Sequence, residues 1–231
     1  MALGLSVVNS TGNVVVDMTY QNLSLKVKQD FSLGAGGTTS VTATGCVAPM
    51  LCINASGYTG FYGATVSGST YTWRIKAAEA SSGTFYVFDQ PHPAHTSSFG
   101  LKLLASDGVS EIFNSDNKYL RVAGILNIPW SASFSNQAFV YVVTGGTATN
   151  SSLPSAKYAV CASMSRVNSV SLGNNNFRRT FDGVKTTATS VSVAQTVNID
   201  FFAGGGGEHP GVFAVGGSGT VPALIVNVEG F

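Results

Sequence analysis

The sequence predicts an all-β fold, arranged as two related β-sandwich-like units in tandem with very little helix. Three observations predict it. Apolar and polar residues alternate with a period of two along most of the chain, as in half-buried strands. These runs are rich in Thr, Val, Tyr and Phe and are separated by clusters of Gly, Ser, Asn and Pro. Finally, part of the N-terminal segment recurs at an offset of 96 residues, from Gly4 to Gly100.

Five segments alternate clearly, and each is expected to form a strand with one face in a core. They are residues 23–27, 71–75, 158–164, 191–201 and 224–228. Two further runs, 85–88 and 139–143, are apolar at successive positions and predict central strands with both faces covered. The single helix candidate, 76–80, is too short to be stable alone. Short strands between turn clusters are typical of a sandwich or a barrel.

The composition excludes several classes of protein. Apolar residues are 44% of the 231 residues, which is enough for a core and excludes a disordered chain. Charged residues are only 10%, against about 25% in an average soluble protein. The net charge is +1, and Arg178-Arg179 is the only basic doublet, so nucleic acid is not expected as the main partner. So little surface charge favours a protein that packs against copies of itself or against neighbours.

The N-terminal segment has no basic region of the kind that opens a signal peptide, and no apolar stretch reaches the about 18 residues of a membrane span. We therefore expect synthesis in a cytoplasm, where disulfides are uncommon. Cys46, Cys52 and Cys161 are then expected to be free buried thiols, although a Cys46–Cys52 bridge remains open. No metal site and no cofactor are expected, because the cysteines lack the further ligands that zinc needs.

Residues 4–27 and 100–122 share a pattern that indicates an internal duplication. The matched positions are Gly4-Leu5 with Gly100-Leu101, Val7-Val8 with Leu103-Leu104, Ser10 with Ser106, Gly12 with Gly108, Val16 with Ile112 and, after one deletion, Leu25-Lys26-Val27 with Leu120-Arg121-Val122. Each copy predicts a strand, a tight turn at the second glycine and another strand, because glycine adopts positive φ without steric cost. We infer two related units, residues 1–95 and 96–231, joined through the proline-containing segment 90–98.

The second copy resembles a motif that opens a β-domain in a family of tailed-bacteriophage proteins found among tail-tip and baseplate genes. The resemblance rests on Gly-Leu followed by a strand, Ser-Asp-Gly, Ile-Phe-Asn-Ser and Tyr-Leu-Arg-Val. It departs at Asn114, where the motif has Asp, and the first copy has Met18 in place of Ser. The resemblance implies a structural virion protein that takes part in tail assembly and host attachment and is made in the host cytoplasm. It transfers no catalytic residue.

The partners implied are other phage tail proteins, a host cell-surface receptor or glycan, and copies of the chain itself. The symmetry of phage tail tips favours a trimer. A receptor- or glycan-binding module, similar to a lectin-like adhesin, is the alternative function. A hydrolase acting on cell-wall polysaccharide is a third reading, which needs two carboxylates in one cleft. The acidic residues are few and scattered along the chain, and no G-x-S-x-G motif occurs, so we expect no enzyme.

Candidate binding residues lie in two segments. Tyr58, Phe61 and Tyr62 stand beside glycines, where aromatic side chains can stack on a sugar or anchor an interface, with core packing as the commoner use of Phe61. Glu208 and His209 follow four glycines in a loop that either touches a partner or is simply exposed. A metal pair at His92 and His95 with Asp89 is disfavoured against a polar linker, because no full ligand set is present.

Overall fold

A computed structural model of the chain describes residues 6–8, 14–17, 23–90, 100–104, 109, 111–135, 140–144, 147–162, 167–173, 176–202 and 219–231. Within these ranges the protein contains strands and no helix. Two large antiparallel sheets pack face to face, which confirms the predicted all-β sandwich class. The segment 76–80, the single helix candidate, begins inside a strand and continues into a bend.

Eighteen strands are found in the described residues. Those of the first half are β1 (Ser6–Val8), β2 (Val14–Asp17), β3 (Ser24–Leu33), β4 (Thr38–Ala43), β5 (Met50–Ala55), β6 (Thr59–Ser67), β7 (Thr70–Ala77) and β8 (Ser81–Asp89). Those of the second half are β9 (Lys102–Leu104), β10 (Glu111–Asn114), β11 (Val122–Ser135), β12 (Val140–Thr144), β13 (Ala148–Asn150), β14 (Tyr158–Ala162), β15 (Val167–Gly173), β16 (Asn176–Thr186), β17 (Val191–Phe202) and β18 (Gly219–Asn227).

The two halves of the chain repeat one topology. The first sheet has the order β12-β11-β18-β14-β5-β8-β3, and the second has β13-β17-β16-β6-β7-β4, with β15 beside β16. Of the six strands from β3 to β8, the first sheet contains β3, β5 and β8, and the second contains β4, β6 and β7. The second half repeats this division with β11, β14 and β18 in the first sheet and β13, β16 and β17 in the second. Within each sheet the strands of the second half follow the opposite order to their counterparts in the first half. The halves are therefore related by a pseudo-twofold axis, and β12 and β15 are additions in the second half.

The two units meet along a narrow seam in each sheet. In the first sheet β5 and β14 run antiparallel with Ile53 opposite Val160, and a disulfide joins Cys52 to Cys161. In the second sheet Val184 lies opposite Thr59. Gly60 follows at this seam, and it is required there because a Cβ would collide with the backbone of the facing strand β16. The boundary predicted between residues 95 and 96 lies outside the described residues and stays a prediction.

Two apolar clusters hold the layers together. The larger one lies between the sheets and draws on both units, for example Ile75 and Phe85 of the first and Val193 and Ile225 of the second. The smaller one includes Tyr86, Phe88 and both disulfide cysteines and lies on the other face of the first sheet. Because β8 alternates between the two clusters, residues 85–88 are all fully buried, and the predicted central strand is confirmed.

Two expectations are wrong. Cys52 and Cys161 are joined in a disulfide, and only Cys46 is a free buried thiol. No pattern in the sequence indicates this pairing, because the residues are 109 positions apart and meet only when the two units form one sheet. The run 139–143 also does not lie centrally, since β12 ends the first sheet and pairs only with β11 among the described strands. A strand that is apolar on both faces is expected to be covered by other layers, but this pattern does not determine whether the strand lies at the centre or at the edge of its sheet.

Candidate functional site

The duplicated motif forms two matching β-hairpins. In β1–β2 the pairs are Ser6 with Asp17, Val7 with Val16 and Val8 with Val14. In β9–β10 they are Lys102 with Asn114, Leu103 with Phe113 and Leu104 with Glu111. Each hairpin therefore skips one residue of its second strand between the second and third pairs, Val15 in the first copy and Ile112 in the second, which is one position out of step with the sequence match of Val16 with Ile112. A β-bulge between the same pairs of both hairpins is a structural counterpart of the sequence repeat.

The motif residues of the second copy close the hairpin by contacts with each other. Leu101 donates its N–H to Ser115 Oγ at 2.9 Å, and Ser115 donates its own N–H to the Leu101 carbonyl at 2.9 Å. Gly100 lies directly against this pair of hydrogen bonds, because a Cβ there would stand 2.6 Å from Ser115 Oγ. The Gly-Leu and Asn-Ser steps of the motif thus form one packing unit, which explains their joint occurrence.

Asn114 and Tyr119 add further contacts in the turn that follows the hairpin. Asn114 is buried, and its side-chain oxygen accepts the N–H of Asp116 at 3.0 Å in an Asx-turn. The Tyr119 hydroxyl accepts the Asn114 N–H, and its ring stacks on Phe113 with centroids 5.0 Å apart. An aspartate would accept the same bond, so the turn does not depend on whether Asn or Asp stands at position 114.

The third segments of the two copies pair with each other. Ser24 and Tyr119, which are equivalent in the repeat, form an antiparallel bridge. Leu25 donates to the Lys118 carbonyl at 2.7 Å, and Leu120 donates to the Leu23 carbonyl at 2.8 Å. These two bonds are exchanged by the pseudo-twofold axis, since Leu25 matches Leu120 and Leu23 matches Lys118. The motif therefore begins each unit and also supplies the segment through which the two units pair.

Tyr58 lies at the seam of the second sheet and contacts both units. Its ring faces the Lys185 Nζ at 5.5 Å, and its N–H donates to Glu79 Oε1 at 3.0 Å. Lys185 also pairs with Glu79 at 3.1 Å. The Tyr58 N–H and the Lys185 ammonium together lower the pKa of the Glu79 carboxyl from its usual range. A ring, a cation and a carboxylate thus meet on the outer face of β6 and β16, a combination suited to a polar ligand with an apolar face.

The other two aromatic candidates divide between two faces. Phe61 is half-buried and packs against the main core, so core packing is its use. Tyr62 is half-buried and its ring lies 6.3 Å from that of Phe181. Asp182 lines an internal cavity together with Phe61, so its neighbour Phe181 lies on the opposite, outer face of the strand. Because Tyr62 contacts Phe181, it lies on this outer face, as Tyr58 does. The structure therefore brings Tyr58 and Tyr62 to one face and excludes Phe61. Glu208 and His209 lie outside the described residues.

The buried carboxylate of Asp89 is a feature that no pattern in the sequence indicates. Asp89 is 1% exposed and accepts the N–H groups of Val47 and Ala48 at 2.9 Å each, with Lys26 Nζ at 3.8 Å. Burial would raise the pKa of Asp89, but these backbone donors outweigh it and hold the pKa below its ordinary value. Burial raises the pKa of the nearby Cys46 thiol, which keeps it in its unreactive form. Asp89 thus fixes the loop that leads into β5.

Within the described ranges, no three His, Cys, Asp or Glu side chains are placed to hold a metal ion. His92 and His95 lie outside them, and Asp89 is committed to its loop. No helix long and apolar enough to cross a membrane is found in the residues that the structure describes. The cavity lined by Phe61 and Asp182 lies between the sheets and has room for about one water molecule.

Comparison with known proteins adds no relative. No family model, no curated protein and no solved structure matches this chain.

Proposed function

We propose that the chain is a structural virion protein of a tailed bacteriophage, a tail-tip or baseplate component that takes part in tail assembly and host attachment. One observation carries the proposal: the residues that resemble the tail-protein motif are used for architecture. Gly100, Leu101, Asn114 and Ser115 close a hairpin, and the segment that follows pairs with its counterpart in the other unit. Such use of a repeated motif favours a scaffold that presents surfaces to neighbouring proteins, and not an enzyme.

The broad, weakly charged sheets support the same reading. The 10% of charged residues leaves little electrostatic protection for strand edges, which is tolerable in a particle where neighbours cover those edges. Copies of the chain, other tail proteins and a host receptor or glycan are the proposed partners. The virion is the proposed location, after synthesis in the host cytoplasm.

The test is the presence and position of the chain in phage particles. Particles induced from the source strain and purified on a density gradient are analysed by mass spectrometry and labelled with an antibody raised against the purified chain. We expect the chain in the particle fraction and label at the tail end in electron micrographs. Its absence from intact particles, with the chain found only in the soluble fraction, would refute the proposal.

A second function, glycan binding, is favoured by Tyr58 and Tyr62 on one outer face beside Lys185 and Glu79. Sugars stack their apolar faces on such rings while their hydroxyls bond to charged neighbours. A glycan array compares the wild-type chain with the Tyr58→Ala, Tyr62→Ala double variant. We expect binding by the wild type and its loss in the variant. A Thr65→Ala, Ser67→Ala variant, which changes exposed ringless residues of the same strand, is the control and should bind normally. Equal binding by all three proteins contradicts the site.

A further inference from the structure

The outer edge of β3 has no strand beside it over most of its length, among the residues that the structure describes. β3 ends the first sheet and pairs with β8 on one side. On its other side only the first residues, 23–25, are bonded to the segment 118–120. A β-bulge between Leu25 and Val27 follows, and the backbone from Val27 to Leu33 is left as an open edge.

The second unit has an equivalent edge. Strand β11 is the pseudo-twofold counterpart of β3, and its residues 122–130 pair with β18 as β3 pairs with β8. Strand β12 pairs with the residues of β11 beyond this stretch, Ser131–Ser135, so among the described residues it does not cover the edge that corresponds to β3. Residues 122–130 of β11 contain no charged side chain, whereas β3 carries Lys28 and Asp30, so the two edges differ in what they can pair with.

The sequence of β3 is complementary to itself when it is read antiparallel about Gln29. In that register Lys28 stands opposite Asp30 of a second copy, and Asp30 opposite its Lys28. Both residues are exposed on the outer face, so two opposite-charge pairs form across the axis. On the inner face Val27 stands opposite Phe31 on each side of Gln29, and both apolar residues already pack against the main core at its margin. Two apolar pairs would thus flank the axis, with the two Gln29 side chains between them.

Charged residues on an edge strand usually prevent pairing with other chains. In β3 these charges disfavour pairing with an unrelated strand or with a copy in another register. A copy in this register is not disfavoured, because opposite charges meet at both positions. In the single chain both side chains are bonded within the fold, on the side of β8, and pairing with a copy would exchange these bonds for contacts across the axis. Lys28 Nζ donates to the Phe231 main-chain oxygen at 2.8 Å, and Asp30 accepts the Thr84 hydroxyl at 2.7 Å.

We propose that β3 is a self-association surface that pairs antiparallel with β3 of a second copy, on a twofold axis at Gln29, and joins two first sheets into one. The contact is isologous, so it produces dimers and not the trimer that tail-tip symmetry favours. The inference rests on the self-association in the proposed function and adds the surface and the register.

The experiment measures the solution mass by light scattering after size exclusion, over a range of concentrations. We expect the wild type at twice the chain mass of 23.8 kDa. Asp30→Lys places four like charges around the axis and should give a monomer. The Lys28→Asp, Asp30→Lys double variant restores opposite pairs and should give a dimer again. Circular dichroism of each variant checks that the monomer is still folded.

The outcomes separate the surface from the function. A wild type that is monomeric throughout overturns both the β3 surface and self-association. A trimer, or an oligomer whose mass Asp30→Lys leaves unchanged, overturns the surface and leaves self-association standing. A double variant that stays monomeric overturns the register.

A cross-linking experiment tests the same register without altering its charges. Gln29 is the residue that faces itself, so Gln29→Cys should give a covalent dimer on mild oxidation. The two introduced thiols are oxidised to one intermolecular disulfide by one molecule of a small-molecule disulfide, which is reduced to two thiols. Ser32→Cys is the matched control, because Ser32 would face Lys26 of the copy and lie far from its own counterpart. Equal cross-linking of the two variants, or none in Gln29→Cys, overturns the proposal.

Discussion

Removing the Cys52–Cys161 disulfide should cause a large loss of stability. The two sulfurs close a loop across 109 positions and join β5 of the first unit to its counterpart β14 of the second. A cross-link of this span restricts the unfolded chain by an amount worth about 5 kcal/mol in the loop-entropy model. This is of the same order as the whole net stability of many domains. The seam of the first sheet has little backbone pairing to replace it, with Ile53–Val160 as its registered pair.

The assay is urea unfolding of oxidised and reduced protein. Both cysteines are buried, at 0% and 2% exposure, so reduction is carried out on the unfolded chain, which is then refolded in reductant. With a slope of about 3 kcal/mol per molar urea, a loss of about 5 kcal/mol moves the midpoint down by about 1.7 M. The Cys52→Ala, Cys161→Ala variant should behave like the reduced chain or be slightly less stable, because it also loses two buried sulfurs.

Cys46→Ser is the matched control, since Cys46 is the free thiol and its removal leaves the cross-link in place. Thiol titration of the unfolded, unreduced protein should find one thiol per chain, and three after reduction. Three thiols before reduction, or equal midpoints for the oxidised and reduced chains, would refute the reasoning.

Three further predictions concern single side chains. Gly100→Ala should destabilise the fold by about 1–3 kcal/mol, because its methyl group would meet Ser115 Oγ, whereas Gly63→Ala, with open space around it, should be neutral in the same urea titration. Asp89 has a lowered pKa in the folded state, so its contribution is complete above the unfolded pKa of about 4 and is lost as the pH falls through the folded pKa. Asp89→Asn should therefore flatten the fall of stability in acid, measured by unfolding midpoints from neutral to acidic pH, and a slope equal to the wild type's would contradict this. Tyr86→Phe should raise the free energy of unfolding by about 1 kcal/mol, because it removes a buried hydroxyl that has no hydrogen-bond partner among the described residues, and a comparable loss would show that the hydroxyl is satisfied.

The sequence predicts the strands well where burial is periodic. The alternation at 71–75 and the apolar run at 85–88 lie in β7 and β8, because each side chain's face is set by its own position in the pleat. The hairpins at residues 6–17 and 102–114 are predicted for the same local reason. Contacts between the units are not local. The disulfide and the Lys185–Tyr58 contact join residues more than a hundred positions apart, and no period in the sequence reports them.

The candidate site shows the same division. Glycines beside Tyr58 and Tyr62 pointed to exposed rings, and the structure places both on one face. The sequence did not indicate that Tyr58 lies at the seam, where Lys185 of the second unit covers its ring. Asp89 stood out only as a possible metal ligand, because the two backbone donors that bind it come from a loop more than forty positions earlier.

The duplication also explains why self-association should involve β3. A single unit would leave four edges open, at its own counterparts of β3, β4, β5 and β6. Fusion of two units buries the β5 and β6 edges at the seam, with a glycine at the closest approach and a disulfide across the other sheet. In the first sheet of the described structure the outer edges of β3 and of β11 over residues 122–130 then remain, since β12 pairs only with Ser131–Ser135 of β11. Edges that remain open after a fusion event are where a further twofold contact can form, and β3 alone combines length, an apolar inner face and charges that match a second copy. If the charge-reversed variant stays dimeric, the open edge is serving another partner, and the tail neighbours become the first place to look for it.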